Sequence, residues 1–458
     1  MQRIYNNLEK ALKYLVATIL IAIPLYPKFP LINIPQTYVS VRLEDFVMVA
    51  AFILLVLLIV NNLKPFLSEK INQAILLFLV VGLISLASAH FVTKTVTPHL
   101  GLLHWARRVE YFVPFFLGVI AARRKEDLEF YLKVIMVTIF TSFLYGFGQR
   151  YLEFPIIVTQ NLEYSKGIAL RYISGSHINS GFAGHYDLGT YLVFLLPILI
   201  SLFFLIKKFK AKILLLLTTF GGLWLLSFSG SRISAFSYLV SSTLSLLFVK
   251  KYKAIPVVLI LSLIIFSMSQ NLTSRYLRIF QVTGRKLIGS LIIDKVSPDY
   301  IFAQENSVGI PVKREVPIPT PTPLPIFEDR STSIRLNVEW PRAIRSFYKN
   351  PLLGTGYSSN TLATDNDYLR LAGEVGLLGF FAFTLILLRI VNAVLKKFPL
   401  TQSFKGINLA FIGGVSGGFV GILINAILLD VFEASKFAII FWLIMGITVG
   451  MVNNKLYE

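Results

Sequence analysis

Thr364–Phe383 reads TDNDYLRLAGEVGLLGFFAF. Two aspartates and an asparagine open the stretch, and within a few residues it becomes an apolar run with helical character. Asp365 or Asn366 suits the N-cap of that helix, because a short polar side chain can accept a hydrogen bond from an orphan backbone N–H. Glu374 falls a few turns inside it. Gly373, Gly376 and Gly379 form a small-residue surface suited to close helix packing. Capping and packing account for most of the pattern, but not for two aspartates and a glutamate at the mouth of a membrane helix. Ionisable groups at such a place are costly and mark function.

Outward from this stretch, the chain is dominated by apolar runs of membrane-spanning length. Hydrophobic residues make up 55% of its 458 residues and charged ones 15%, more apolar surface than a water-soluble fold of this size can hide. The reading is an all-α membrane protein, a polytopic bundle of about twelve transmembrane helices of roughly 20 residues each. The spans centre near residues 19, 53, 79, 112, 138, 196, 219, 241, 262, 383, 416 and 445. Arg107, Arg108 and Glu110 interrupt the fourth, and the ninth is short and begins at Pro256. The N-terminal run to Leu25 is expected to be a retained first helix, since no small-residue cleavage pattern follows it.

The net charge of +20 would suggest nucleic acid in a soluble protein. Here it is concentrated in alternate short loops, including Lys207/Lys208/Lys210/Lys212, Lys250/Lys251/Lys253 and Lys396/Lys397. That alternation follows the positive-inside rule with both termini cytoplasmic, and makes anionic lipid rather than nucleic acid the partner. Segments 149–186 and 270–365 then face outward. The expected layout is an N-terminal bundle at 1–269 of about nine spans, an extracytoplasmic loop at 270–365 and a C-terminal bundle at 366–458 of about three. The loop is expected to hold short helices and a Pro-rich spacer at 311–325, whose alternating prolines favour polyproline II. The chain has no cysteine, which excludes disulfides and thiol chemistry.

Within the outer loop, Arg335–Phe347 (RLNVEWPRAIRSF) has the spacing of a short amphipathic helix with Pro341 near its start. It would place Arg335, Arg342 and Arg345 near lipid headgroups. NPLLGTGYSSN follows (350–360), a turn whose Gly354 and Gly356 permit backbone shapes closed to other residues. Such glycines can bring N–H groups to an anion, although a plain turn is the default. Arg232, in FSGSRISAFSY, sits at an outer boundary between two spans. It either snorkels to the surface or holds a phosphate, which guanidinium matches bidentately. His177 and His185 lie in SHINSGFAGHYDLG, spaced for neither an H-E-x-x-H site nor a cysteine-assisted one, so hydrogen bonding or substrate contact is expected and no metal. No Walker A, dinucleotide or G-x-S-x-G pattern is present, and no cofactor is expected.

At FSGSRISAF, Arg335…Trp340…NPLLGTGYSSN and DNDYLRLAGEVGLLGF the chain resembles the O-antigen ligase and polymerase superfamily, multispanning membrane glycosyltransferases. A closing span with Asp430, Lys436 and Trp442 is also similar to the end of that family. The resemblance implies metal-independent transfer of an oligosaccharide from a polyprenyl-pyrophosphate carrier to a glycan, lipid or protein acceptor hydroxyl on the outer face of the inner membrane. It implies that Arg232 and Arg335 hold the pyrophosphate. The family's histidine, at the start of an H-N-x-Y-L motif, is Asp365 here, which can accept a proton or orient a hydroxyl but is a weaker base. Arg342, Tyr368, Glu374 and His185 are the expected substrate contacts. The competing reading is a transporter of lipid-linked glycan or polysaccharide that forms no bond.

Overall fold

The structure, a computed structural model, describes residues 2–33, 40–122, 124–159, 168–173, 176–270, 272–273, 276, 330–360 and 363–454. The Pro-rich spacer at 311–325 lies outside them, as does nearly all of the preceding arm. The long helices, in chain order, are α1 (Gln2–Leu25), α2 (Leu43–Ile59), α3 (Lys70–Phe91), α4 (Pro98–Ala121), α5 (Lys125–Tyr151), α6 (His185–Leu205), α7 (Phe209–Ser229), α8 (Arg232–Phe248), α9 (Ala254–Ser267), α10 (Trp340–Lys349), α11 (Asp367–Leu395), α12 (Gly406–Asn425) and α13 (Ser435–Asn453). Two short antiparallel strand pairs, Pro30–Asn33 with Ser40–Arg42 and Ile156–Val158 with Ile168–Leu170, cap inter-helix connections.

Among the described residues, eight helices are long and apolar enough to cross a membrane. This is fewer than the twelve expected from the sequence, and the difference has physical causes. α1 carries a polar first third and α4 holds His104, Arg107, Arg108 and Glu110, so neither 24-residue helix reaches the required apolarity. α8 and α9 are apolar but only 17 and 14 residues long. All four stand where the sequence places a span.

The most apolar helices form the centre. α13 is buried along its whole apolar window, and α6 along most of it, as expected of helices that are hydrophobic all round. α13 packs on α4, and α12 lies against both α6 and α8. The α4–α13 contact is close because Gly118 and Gly446 face one another's backbones. A Cβ at Gly446 would lie 2.0 Å from the Phe115 carbonyl oxygen, and one at Gly118 2.3 Å from that of Leu443. Without a hydrophobic drive between helices in lipid, such close backbone approach is a main source of association. α11 packs against α3, so the C-terminal helices are interleaved with the N-terminal ones.

At one end of this bundle, Lys436, fully buried at the start of α13, donates through Nζ to the carbonyls of Tyr26 and of Gly181 (2.6 Å), with Pro24 O at 3.4 Å. One ammonium thus ties together the end of α1, the segment before α6 and the start of α13. It fixes the rim on which the polar residues gather.

Candidate active site

Three devices position the polar residues. The first is a turn between α7 and α8. Gly230 caps α7 in the left-handed region (φ 66°), where a Cβ would meet His177 Nδ1 at 2.5 Å. Ser231 then caps α8, accepting from Ser234 N, so Arg232 becomes the first residue of α8. Its guanidinium is therefore added to the partial positive charge of a helix N-terminus.

The second device is the helical stretch before the 350–360 loop. Arg330–Ile334 is α-helical, Arg335–Glu339 is a π-helical turn, and α10 continues from Trp340 with Pro341 in its first turn. π-turns are rare and frequent at functional sites. The amphipathic helix expected from the sequence is present, and it contains an irregularity that hydrophobic spacing cannot reveal. Arg335 is buried within this turn. Its Nε and Nη2 donate to Asp365 Oδ2 at 2.9 and 2.7 Å, and it also hydrogen-bonds the Tyr186 side chain.

The third device is a break in α11. Gly376 has φ 66° and ψ −169°, interrupting the helix, and the 350–356 loop fills the gap. Thr355 N and Gly356 N donate to the carbonyls of Gly373 (3.0 Å) and Glu374 (2.8 Å), while Leu377 N and Leu378 N donate to those of Pro351 (2.8 Å) and Leu352 (3.1 Å). A Cβ at Gly354 would lie 2.4 Å from the Glu374 carbonyl, and one at Gly376 2.3 Å from the Leu352 oxygen. The glycine spacing therefore serves a backbone-to-backbone splice, and the Gly356 N–H is occupied by Glu374. Likewise Gly376 breaks α11 instead of forming a packing stripe with Gly373 and Gly379. Asn366, not Asp365, is the N-cap: its Oδ1 accepts from Leu369 N at 2.9 Å. Asp365 precedes it with φ 49°.

These devices bring Arg232 and Arg335 to one cavity of about 290 Å³. Tyr186, Tyr276 and Trp340 also line it, and Ile233, Phe236, Leu336 and Leu428 supply an apolar wall. Trp340 Nε1 is buried with no hydrogen-bond partner among the described residues. Asp365 stands behind Arg335 rather than on the cavity wall. Burial raises the Asp365 carboxyl above the usual range, and Arg335 offsets this only in part. Glu339, in the same π-turn as Arg335, is pushed up to about 7 by burial and by Asp365, with Arg335 opposing. One of its oxygens, Oε2, is buried and without a hydrogen-bond partner among the described residues.

The other expected contacts lie elsewhere. His185 begins α6, its ring stacked on His177 (centroids 4.4 Å apart) and against Tyr186 (4.1 Å), so it borders the cavity through Tyr186. Arg342 Nη2 donates to Ala363 O at 2.5 Å, holding α10 to the segment before Asp365. Tyr368 donates to Leu423 O at 2.8 Å. Glu374 is buried 3.5 Å from Arg370 Nε, inside a charge network. In that network Arg370 Nη1 donates to Asp430 Oδ2 (3.0 Å) and Arg108 pairs with Glu433. Asp430 also accepts from Thr364 N (2.8 Å) and Asn366 N (3.1 Å), the residues on either side of Asp365. Burial would raise the Glu433 carboxyl, but Arg108 and Arg370 outweigh it and hold it at about 2. Among the described residues no group of three or more His, Cys, Asp or Glu side chains could hold a metal ion.

The arrangement defines a multi-pass helical membrane protein with an arginine-lined, partly apolar cavity at one end of its bundle. Residues 217–384 match the family model described as O-antigen ligase, so over that region the chain is similar to O-antigen ligases. The matched region runs from within α7 to within α11 and contains Arg232, Arg335, Asp365 and Glu374. No curated protein matches the chain.

Proposed function

We propose that the protein is a membrane glycosyltransferase that moves an oligosaccharide from a polyprenyl-pyrophosphate carrier to an acceptor hydroxyl on the outer face of the cytoplasmic membrane, in cell-surface polysaccharide synthesis. The observation that carries this reading is the shared cavity: two arginines, a hundred residues apart in sequence, meet beside an apolar wall. A pyrophosphate with an isoprenoid tail has the same division of chemistry. The anion sits on Arg232 and Arg335, and the tail passes over Phe236, Leu336 and Leu428 into lipid.

In the transfer, the bond between the sugar's anomeric carbon and the pyrophosphate oxygen breaks as the acceptor oxygen bonds that carbon. Negative charge grows on the leaving pyrophosphate, where fixed guanidinium groups act most strongly. Asp365 holds Arg335 in place with two hydrogen bonds to one oxygen. The acceptor's proton passes by way of one water to the acidic pair of Asp365 and Glu339, which stand behind the cavity wall. A carboxyl near neutrality suits that role better than one at its ordinary value, which assigns Glu339 a part that the sequence reading gave to Asp365 alone. Arg342, Tyr368 and Glu374 set the geometry of the segment carrying Asp365. This scheme requires no metal.

The break in α11 favours a second reading, because interrupted helices are common at transporter binding sites. Against it, the backbone groups at this break are satisfied by the 350–356 loop and are not left for a substrate. The two readings separate in a reconstituted system with polyprenyl-pyrophosphate-linked glycan. Arg232→Ala and Arg335→Ala should each lower bond formation by about 10²–10³-fold while the protein still inserts. Normal transfer by both variants, or glycan movement across the bilayer without transfer, overturns the proposal. With no native cysteine, single substitutions such as Ser333→Cys and Lys396→Cys report sidedness: the first should label from outside and the second only after permeabilisation.

A further inference from the structure

A second cavity, of about 160 Å³, lies where α1, α2 and α4 approach the Glu433 segment, and the proposed reaction makes no use of it. This is well above the ~10–15 Å³ needed for one water. Four cations line it: Lys28, Arg42, Arg107 and Arg108, together with His104 and one carboxylate, Glu433. Lys28 and Arg108 are 8% and 9% exposed. Cations at such depth in a membrane protein are costly unless something offsets them.

The carboxylates Glu44, Asp45, Glu110 and Glu433 equal them in number but hold them unevenly, some closely and some only at 3.8–4.0 Å. Arg107 Nη1 donates to Asp45 Oδ1 at 2.8 Å and lies 3.4 Å from Glu110 Oε2, and Arg108 pairs with Glu433. Glu44, in contrast, is shared loosely, with Lys28 and Arg107 at 3.8 Å and Arg42 at 4.0 Å, while its near partner is the Ser435 hydroxyl at 2.9 Å. Arg42 Nε is buried with no hydrogen-bond partner among the described residues. A purely structural pair elsewhere in the chain, Lys13 with Asp127, closes to 2.6 Å. Glu44, Asp45 and Glu110 all stand behind the cations and Glu433 is the one carboxylate on the wall, so the face presented to a ligand carries net positive charge. Burial pulls the Lys28 ammonium below the usual lysine range despite Glu44, and an anion in the cavity would oppose that pull.

We propose that this cavity binds one phosphate group, at a site separate from the Arg232–Arg335 cavity. Several fixed cations around a small volume match a tetrahedral oxyanion with several acceptor oxygens better than a single carboxylate. The phosphate belongs either to a phospholipid headgroup or to a water-soluble sugar phosphate. The site does not depend on the proposed reaction, and binding rather than turnover tests it.

The test uses the full chain in detergent, with Arg232→Ala and Arg335→Ala combined so that the first cavity is silenced. Native mass spectrometry follows phosphatidylglycerol against diacylglycerol, and a titration follows glucose 1-phosphate against glucose. One phosphate-dependent binding event should remain for one of the two phosphate probes, which identifies the source. Adding Lys28→Gln and Arg42→Gln should weaken it at least tenfold. Equal binding of the phosphate-free probes, or unchanged binding after both glutamine substitutions, overturns the site. Should the glutamine variants fail to fold, a spin label on Leu103→Cys, which lines the cavity, takes their place. It should broaden the ³¹P signal of the bound probe, and an unbroadened signal from a bound probe also overturns the proposal.

Discussion

The Arg335 pair and the Arg108 pair are both arginine–carboxylate contacts at the same end of the bundle, and they are built for different ends. Arg335 is held from one side by Asp365, and its other side lines an open cavity with Arg232. Arg108, although it borders the second cavity, sits in a set with Glu433, Arg370, Glu374 and Asp430, where each cation faces a carboxylate and each carboxylate a cation or a backbone N–H. A guanidinium with one carboxylate partner keeps more of its charge available to a substrate, whereas one inside a network of carboxylates is mainly committed to the fold. The same residue type thus acts as a reagent in one place and a fastener in the other, and the difference lies in how much of its surroundings are protein.

The sharpest way to break this comparison is to remove each arginine in turn. Arg335→Ala should lower transfer by about 10²–10³-fold and destabilise the fold less than Arg108→Ala, because Asp365, whose carboxyl burial already raises, can take up a proton once its cation is gone. Arg108→Ala should do the reverse in proportion: it leaves Glu433 and Glu374 short of a cation in a buried network, at about 3–5 kcal/mol. Thermal unfolding in detergent beside a transfer assay gives both readings on each variant. If Arg335→Ala melts like Arg108→Ala, the two pairs do the same job and the distinction fails.

A second cut concerns protons. Glu339 is held at about 7, mainly by burial and by Asp365, so its carboxylate form grows as pH rises through neutrality. If that form takes the acceptor's proton, transfer should rise with pH through about 7 and level off above it. Glu339→Gln should remove this limb and lower the plateau by about 10²-fold. Asp365→Asn should also slow transfer, since Arg335 loses its charged anchor, but the pH limb should survive. A limb that vanishes in Asp365→Asn and persists in Glu339→Gln assigns the proton to Asp365 instead.

The break in α11 allows a structural cut of intermediate size. Gly376→Ala places a Cβ 2.3 Å from the Leu352 oxygen at a positive φ, where strain of about 1–3 kcal/mol is usual before the clash is counted. Proteolysis of the 350–356 loop should become faster. Unchanged protection would mean that the loop is not held by the break.

How much of this could be read from the sequence differs between the two regions for a physical reason. Apolar runs fix helices because lipid makes the length and composition of a span nearly compulsory, and Arg232 and Arg335 stand out because an arginine beside a span needs a reason. The Arg108–Glu433 pair could not be read, since its partners are 325 residues apart and nothing local links them. The interruption by Arg107, Arg108 and Glu110 is visible in the sequence, where it reads only as a flaw in the α4 span, although it also marks the second cavity. Gly376 was legible as a small residue but not as a break, because three glycines at helical spacing look the same whether they pack or part. Glu339 was hidden in an amphipathic pattern, since spacing arguments assume an α-helix and the π-turn changes which residues share a face.

The smallest effect tests how the segment before α11 is held. Asn366 caps α11 through its side chain, and its own N–H, like that of Thr364, is held by Asp430. Asp365 lies between these two anchors with φ 49°, so its aim at Arg335 depends on both. Asn366→Ala removes only the cap and should lower stability by about 1 kcal/mol, because the backbone bonds to Asp430 remain. Transfer should fall by a few-fold through misplacement of Asp365, with the pH limb unmoved. Asn366→Asp, which can still cap and whose charge suits a helix N-terminus, should restore stability. A variant that loses stability without losing any transfer would show that the Asp430 anchor alone positions Asp365.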